Sequence, residues 1–211
     1  VSDIAVDLNG DILLTGEFCG GGTCSVNVGS STLTSVGGVD IYVGKVSPTG
    51  SWIWVLSEGS ELDDFARSIE VNSLGEVVIL GGFCPTVWHT EVDCQLSSGS
   101  SSLQKNCTSE MMMIGYTPDG YPQVAVQAAG SGLDQGNGLS IDSDSNIFVT
   151  GFFQINGSFG PDQISGKGWL NLFVWKVGEL DFPDADEDGV HDWMDNCPLV
   201  DNPDQTDTDR D

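Results

Sequence analysis

At 211 residues, 39% hydrophobic and 9% aromatic, the chain is long enough and apolar enough to bury a core, which excludes wholesale disorder. Its 32 Asp and Glu against 6 Lys and Arg leave a formal net charge of -26; such a surface repels nucleic acid and anionic lipid and suits hard cations, calcium above all. No apolar run approaches the roughly 20 residues a bilayer-spanning helix needs, so no membrane span is expected in this segment.

The acidic residues crowd after Glu179, which sets residues 181–211 apart as a tail on a domain over residues 1–180. Six cysteines beside abundant Gly, Ser and Thr point to an oxidising compartment, hence to a secreted or cell-surface protein. Val1 follows neither a Met nor a signal peptide, so the chain is expected to begin after processing or to be an internal piece of a longer product.

Within residues 1–180 one pattern occurs three times. Ile4-Ala5-Val6-Asp7, Asn9-Gly10-Asp11 and Ile12 to Phe18 recur as Ser68-Ile69-Glu70-Val71, Leu74-Gly75-Glu76 and Val77 to Phe83, then as Leu139-Ser140-Ile141-Asp142, Asp144-Ser145-Asn146 and Ile147 to Phe153. Each is two β-prone runs joined by a polar turn, a hairpin signal. A second hairpin follows in the first two copies: Asp40 to Val46, the turn Ser47-Pro48-Thr49-Gly50 and Ser51 to Leu56; then Glu110 to Tyr116, Thr117-Pro118-Asp119-Gly120 and Tyr121 to Ala128. The third copy has Asn171 to Val177 and runs straight into the tail, so its fourth strand is missing. The cysteines repeat too. A shift of 70 places Cys24 on Cys94 and Asp40 on Glu110, with Cys19 near Cys84, which predicts bridges Cys19 to Cys24 and Cys84 to Cys94; Cys107 competes for Cys84 or Cys94.

The expected fold is therefore all-β: about three four-stranded antiparallel propeller-blade-like repeats, incompletely closed, at about 1–62, 63–133 and 134–180. The run Asp40 to Trp54, preceded by Leu33-Thr34-Ser35-Val36-Gly37-Gly38, resembles the bacterial and archaeal β-propeller repeat known as SBBP, and the resemblance extends over most of residues 1–178. Three blades are fewer than the usual minimum of about four. Either the array is part of a longer propeller, or its unpaired third-repeat edge accepts a strand from a neighbouring copy and allows head-to-tail fibres.

From Asp184 the spacing is that of a calcium loop: Asp184, Asp186 and Asp188 at positions one, three and five, Gly189 at the sharp turn, the Val190 carbonyl at seven, and Asp192 and Asp195 to complete the shell. Asp207, Asp209 and Asp211 open a second acidic loop. Between them lie Asp195-Asn196-Cys197-Pro198 and Asn202-Pro203-Asp204-Gln205. This arrangement resembles the thrombospondin type 3 repeat, which implies an irregular calcium-bound tail and a Cys197 that bonds a cysteine of a following repeat.

Asn106-Cys107-Thr108 and Asn156-Gly157-Ser158 are glycosylation sequons expected in loops. No nucleophile with a base, and no pocketed carboxylate pair, is legible, so an enzyme is not expected. His89 and His191 read as solvated, Asp63 and Asp64 as turn residues between copies, Met111 to Met113 as core, and Trp52, Trp54, Trp169 and Trp175 as blade packing or, where exposed, platforms for sugar rings. The expected function is that of a non-catalytic extracellular structural or adhesive protein. Calcium would rigidify its link to a neighbouring domain or to copies of itself by edge-strand or tail contacts; a glycan-binding part of a larger secreted protein is the second expectation.

Overall fold

The computed structural model describes residues 1–85, 94–104, 109–130 and 132–206, and the chain divides into two compact units, Val1–Leu180 and Asp181–Asp211. Among the described residues there is no helix. The first repeat runs β1 (Asp3–Val6), β2 (Ile12–Phe18), β3 (Ser25–Val28), β4 (Ser31–Thr34), β5 (Asp40–Val46) and β6 (Trp52–Glu58). Of these, β1, β2, β5 and β6 form one antiparallel sheet in that order, and β3 and β4 a separate hairpin. The second repeats the plan with β7 (Asp64–Val71), β8 (Val77–Phe83), β9 (Gln95–Ser98), β10 (Ser101–Gln104), β11 (Glu110–Tyr116) and β12 (Pro122–Gly130). The third has β13 (Gln135–Ile141), β14 (Ile147–Phe153), β15 (Asn156–Phe159), β16 (Asp162–Ser165) and β17 (Asn171–Gly178), with β13, β14 and β17 forming a three-stranded sheet. The array is propeller-like and not closed.

The loop expected after each second strand is thus a short hairpin. Its two-residue turn places a glycine at positive φ each time, Gly29 at 59°, Gly99 at 56° and Gly160 at 60°, which suits the twist of tightly joined strands. The third of these hairpins adds to the second blade through Ala129 opposite Ser158 and Gly130 opposite Gly157, making a sheet of six strands.

The first turn of every repeat is closed by one side chain. Asp7 Oδ1 accepts the N–H groups of Asn9 and Asp11 at 2.8 and 2.9 Å, Asn72 Oδ1 those of Leu74 and Glu76 at 3.0 Å, and Asp142 Oδ1 those of Asp144 and Asn146 at 2.9 Å. These bonds correct the sequence alignment by one residue: Ile4 corresponds to Ile69, not to Ser68. The correction matters because a one-residue slip moves every side chain to the other face. Asp7 is further held by the buried Lys45 ammonium at 2.9 Å; against the upward push of burial, Lys45 and the two backbone donors keep its carboxyl below the ordinary range.

The core lies between the blades. Ile41 and Val43 of the first sheet face Ile69, Val77 and Ile79 of the second, all buried in one cluster. Trp54 Nε1 donates to Pro118 O at 2.9 Å, and Ser68 Oγ to Asp3 Oδ2 at 2.8 Å, across the same junction. The first strands, β1, β7 and β13, gather side by side. Met111, Met112 and Met113 are buried, as expected, and a Cβ on Gly136 would come within 2.7 Å of the Met111 sulfur. The glycine of the repeated Thr/Leu-Gly-x-Phe run is a close-approach site beside a bulge: a Cβ on Gly81 would lie 2.2 Å from Phe65 O, and one on Gly151 2.0 Å from Gln135 O.

Candidate metal centre

In the second unit the chain alternates. Asp184, Asp186 and Asp188 are half-buried while Ala185, Glu187 and Gly189 are exposed, so every second side chain turns inward. Gly189 has φ 91° and Glu187 φ 62°, left-handed conformations that fold the loop back on itself. As a result one carboxylate oxygen from each of the three aspartates lies within 4.8 Å of the others.

Backbone donors hold the ring in shape. Gly189 N–H donates to Asp184 Oδ2 at 2.9 Å, Asp188 N–H to Asp186 Oδ1 at 3.3 Å and Val190 N–H to Asp188 Oδ1 at 2.8 Å. Each bond uses one oxygen and orients the other. Asp184 Oδ1 and Asp186 Oδ2 are buried and accept no hydrogen bond, a costly state for anionic oxygens unless a cation meets them. Withdrawal from water, then the charges of Asp188 and Asp195, push the Asp186 carboxyl above its usual range. An all-oxygen donor set of this kind fits calcium, a hard cation that takes carboxylates and carbonyls.

Asp192 stands outside that triad: its Oδ1 accepts the Ala185 N–H at 2.8 Å, and its own N–H donates to Pro183 O at 2.8 Å, which closes the loop at its base. Asp195 Oδ1 accepts from Cys197 N–H at 2.8 Å and from Gln205 Nε2 at 3.0 Å. Asn196, Asn202 and Gln205 form a second tier. Asn196 N–H donates to Gln205 Oε1 at 2.9 Å, Asn202 Nδ2 to Asn196 Oδ1 at 2.7 Å, and Asn202 N–H to Asp188 Oδ2 at 2.9 Å. Through these bonds Asn202 holds the Asp188 carboxylate and Gln205 that of Asp195. Asp207, Asp209 and Asp211 lie outside the described residues, as do His89, Asn106 and Cys107.

The bridges Cys19 to Cys24 and Cys84 to Cys94 are formed. Asn156 is exposed but starts β15 instead of sitting in a loop. His191, expected in solvent, stacks on Phe182 at 5.5 Å between ring centroids. Trp169, expected as blade packing or, where exposed, a sugar platform, is exposed in the segment that leads into β17, whereas Trp175 packs edge-on against Phe159 at 5.5 Å.

Asp64 is the first residue of β7 and fully buried, not a turn residue. Burial pushes its carboxyl up to about 7 against the opposing hydrogen bonds of Ser60 and Cys84, and Asp40 adds to the rise. Asp134, one repeat later, is likewise pushed to about 7 by burial and by Glu110, and accepts the Gln154 N–H at 3.4 Å. Each of the two receives the N–H that follows the second strand of its repeat, Cys84 and Gln154. Their recurrence with the repeat marks a structural joint, not a catalytic pair. Glu58, also raised to about 7 by burial, accepts the Ser98 hydroxyl at 2.9 Å between the first two blades. A cleft of about 670 Å³ beside them is lined by Val36, Glu61, Cys94 and Gln95, with Cys94 tied up in its bridge.

Over 175 residues the chain is 24% identical to an uncharacterized WD repeat-containing protein of Acanthamoeba polyphaga mimivirus, a match covering 75% of this chain and 12% of that protein's length. Residues 124–151, from β12 into β14, match the family model of the beta-propeller repeat SBBP, within residues 1–178 over which the resemblance to that repeat extends.

Proposed function

We propose that the protein is a non-catalytic extracellular structural or adhesive component whose acidic unit, of the thrombospondin type 3 kind, binds calcium and stiffens the link between the β-repeat body and a neighbouring domain or subunit. One observation carries the reading: Asp184, Asp186 and Asp188 converge within 4.8 Å with buried, unmet oxygens on the first two. The Val190 carbonyl and Asp195 stand ready as further ligands, and Asp207, Asp209 and Asp211 would open a second loop. Two disulfides and matches to repeat domains support an exported scaffold. Calorimetric titration of the 211-residue chain with calcium is expected to show binding with a Kd on the order of 10⁻⁴ to 10⁻³ M, the range of extracellular modules. Asp186→Asn should weaken it at least about tenfold, since a bound divalent ion loses one anionic ligand. Absence of heat and of retained calcium would refute the proposal.

The exposed Trp169 favours a second reading, a glycan-binding surface on the third repeat. That reading expects glycan-array binding by the intact chain that disappears in Trp169→Ala; an array blank for the unmodified chain removes it.

A further inference from the structure

Each junction between successive repeats buries a pair of carboxyl groups. At the first, Asp40 opens β5 of one repeat and Asp64 opens β7 of the next, and both are fully buried. Asp64 N–H donates at 2.6 Å to the carbonyl of Val39, the residue before Asp40. The linker Gly59-Ser60 touches both side chains: a Cβ on Gly59 would lie 2.1 Å from Asp40 Oδ2, and the N–H and hydroxyl of Ser60 donate to Asp64 at 2.6 and 2.9 Å. The second junction repeats the plan. Glu110 opens β11 and Asp134 stands directly before β13, again both buried, and Asp134 N–H donates at 3.4 Å to the carbonyl of Ser109.

Holding the loop before the third strand does not require an acid. Asp40 Oδ2 accepts the Val36 N–H at 2.7 Å, and in the third repeat the same position is Asn171, whose Oδ1 accepts the Lys167 and Gly168 N–H groups at 3.1 and 3.2 Å. An amide is enough there. The acid at Asp40 leaves an oxygen over: its Oδ1 is buried and accepts no hydrogen bond, and the same holds for Asp134 Oδ2. Such an oxygen is costly in an ionised carboxylate and far less so when the group carries a proton.

No cation offsets these charges. Burial pushes the Asp40 carboxyl up against the N–H bonds of Val36 and Gly37, and Asp63 adds to the rise. Glu58 and Glu61 flank the linker and are acidic too. Among the described residues no lysine or arginine pairs with Asp40, Asp64 or Asp134; Lys45 is engaged by Asp7 and Asp11, Arg67 by Glu17, and Lys105 lies outside the described residues. Two carboxyls sharing one water-free site cannot both ionise cheaply. We propose that each junction holds one proton shared by its two carboxyls, Asp40 with Asp64 and Glu110 with Asp134, so that the joint between repeats is tight while the proton is present and loosens when rising pH removes it. The device lies wholly in the body and is independent of the calcium reading.

Carbon-13 carboxyl titration of the 211-residue chain by NMR, with calcium held constant, tests the sharing. The Asp40 and Asp64 signals are expected to move over the same pH steps, because coupled groups titrate as a pair. Asp40→Asn removes the coupling, so the Asp64 midpoint should fall by at least about one unit, with a gain in melting temperature that is larger at pH 8 than at pH 5. Glu110→Gln should do the same to Asp134 and leave the first junction as it was. Independent titration of Asp40 and Asp64 in the unmodified chain would overturn the proposal without need of a variant. An Asp64 midpoint that stays in place in Asp40→Asn would overturn it as well.

Discussion

Chelating calcium is expected to unfold residues 181–206 and to leave the strands of residues 1–180 as they were. The acidic unit is only 31 residues from Asp181 to Asp211. Below about 40 residues a chain rarely buries enough apolar surface to stand without a metal, disulfides or association, and among the described residues of this unit the one fully buried side chain is Phe182, stacked on His191. Its order comes from polar bonds arranged around carboxylates that repel one another. With a cation among them, the same carboxylates become the centre that the Gly189, Val190 and Asn202 N–H groups organise around. Hydrogen exchange provides the measurement. Those amides are expected to exchange at least about 100-fold faster in a chelator than with calcium, while amides in β8 and β11 keep their protection. Equal protection in both buffers would show that the unit is ordered by something other than metal.

Raising the pH from 5 to 8 is expected to destabilise the body while strengthening the tail's hold on calcium. Glu58, Asp64 and Asp134 each titrate near 7 in the folded chain, because burial disfavours their charged forms. Unfolded, they titrate at the ordinary carboxylate value near 4. Between those limits the folded state holds protons that the unfolded chain has released, so stability falls as pH rises and levels off above about 7. Asp7 and Asp142, held below the ordinary range, act in the opposite sense, but only at pH values below it. At about 2–4 °C per kcal/mol for a unit of this size, the body should melt on the order of 10 °C lower at pH 8 than at pH 5. Glu58→Gln should flatten the slope by about a third. Metal binding runs the other way because the ligands must be ionised. A body whose melting temperature is level or rising over this interval would show that folding does not raise the pKa of these carboxyls.

The periodicity of apolar residues carried the strand boundaries well. Asp40 to Val46 and Glu110 to Tyr116 read as strands, and β5 and β11 span those residues. The third repeat's missing fourth strand was also legible, because β17 is followed directly by acidic sequence. The three inserted hairpins were not. Their strands are four residues each and rich in Ser and Thr, too short for alternation to stand out, although the shared two-residue glycine turn was a usable signal. Equally hidden was the equivalence of Asp7 with Asn72, since two different residue types make the same pair of bonds. In the tail, the inward aspartates followed from their spacing, whereas the loop-closing position of Asp192 and the Asn196, Asn202 and Gln205 tier required coordinates.

What the sequence determined by itself was an all-β array of three repeats, two local disulfides and an acidic tail with ligand spacing, because these are set by short-range period, by the reach of nearby cysteines and by residue identity at fixed intervals. What only the tertiary structure decided was which faces meet. Burial of Met111 and exposure of Leu172, or an Asp64 driven up to about 7 by burial, depend on whether another blade covers that position. Coverage is a property of residues some 65 to 70 positions away in the chain, and no local pattern encodes it.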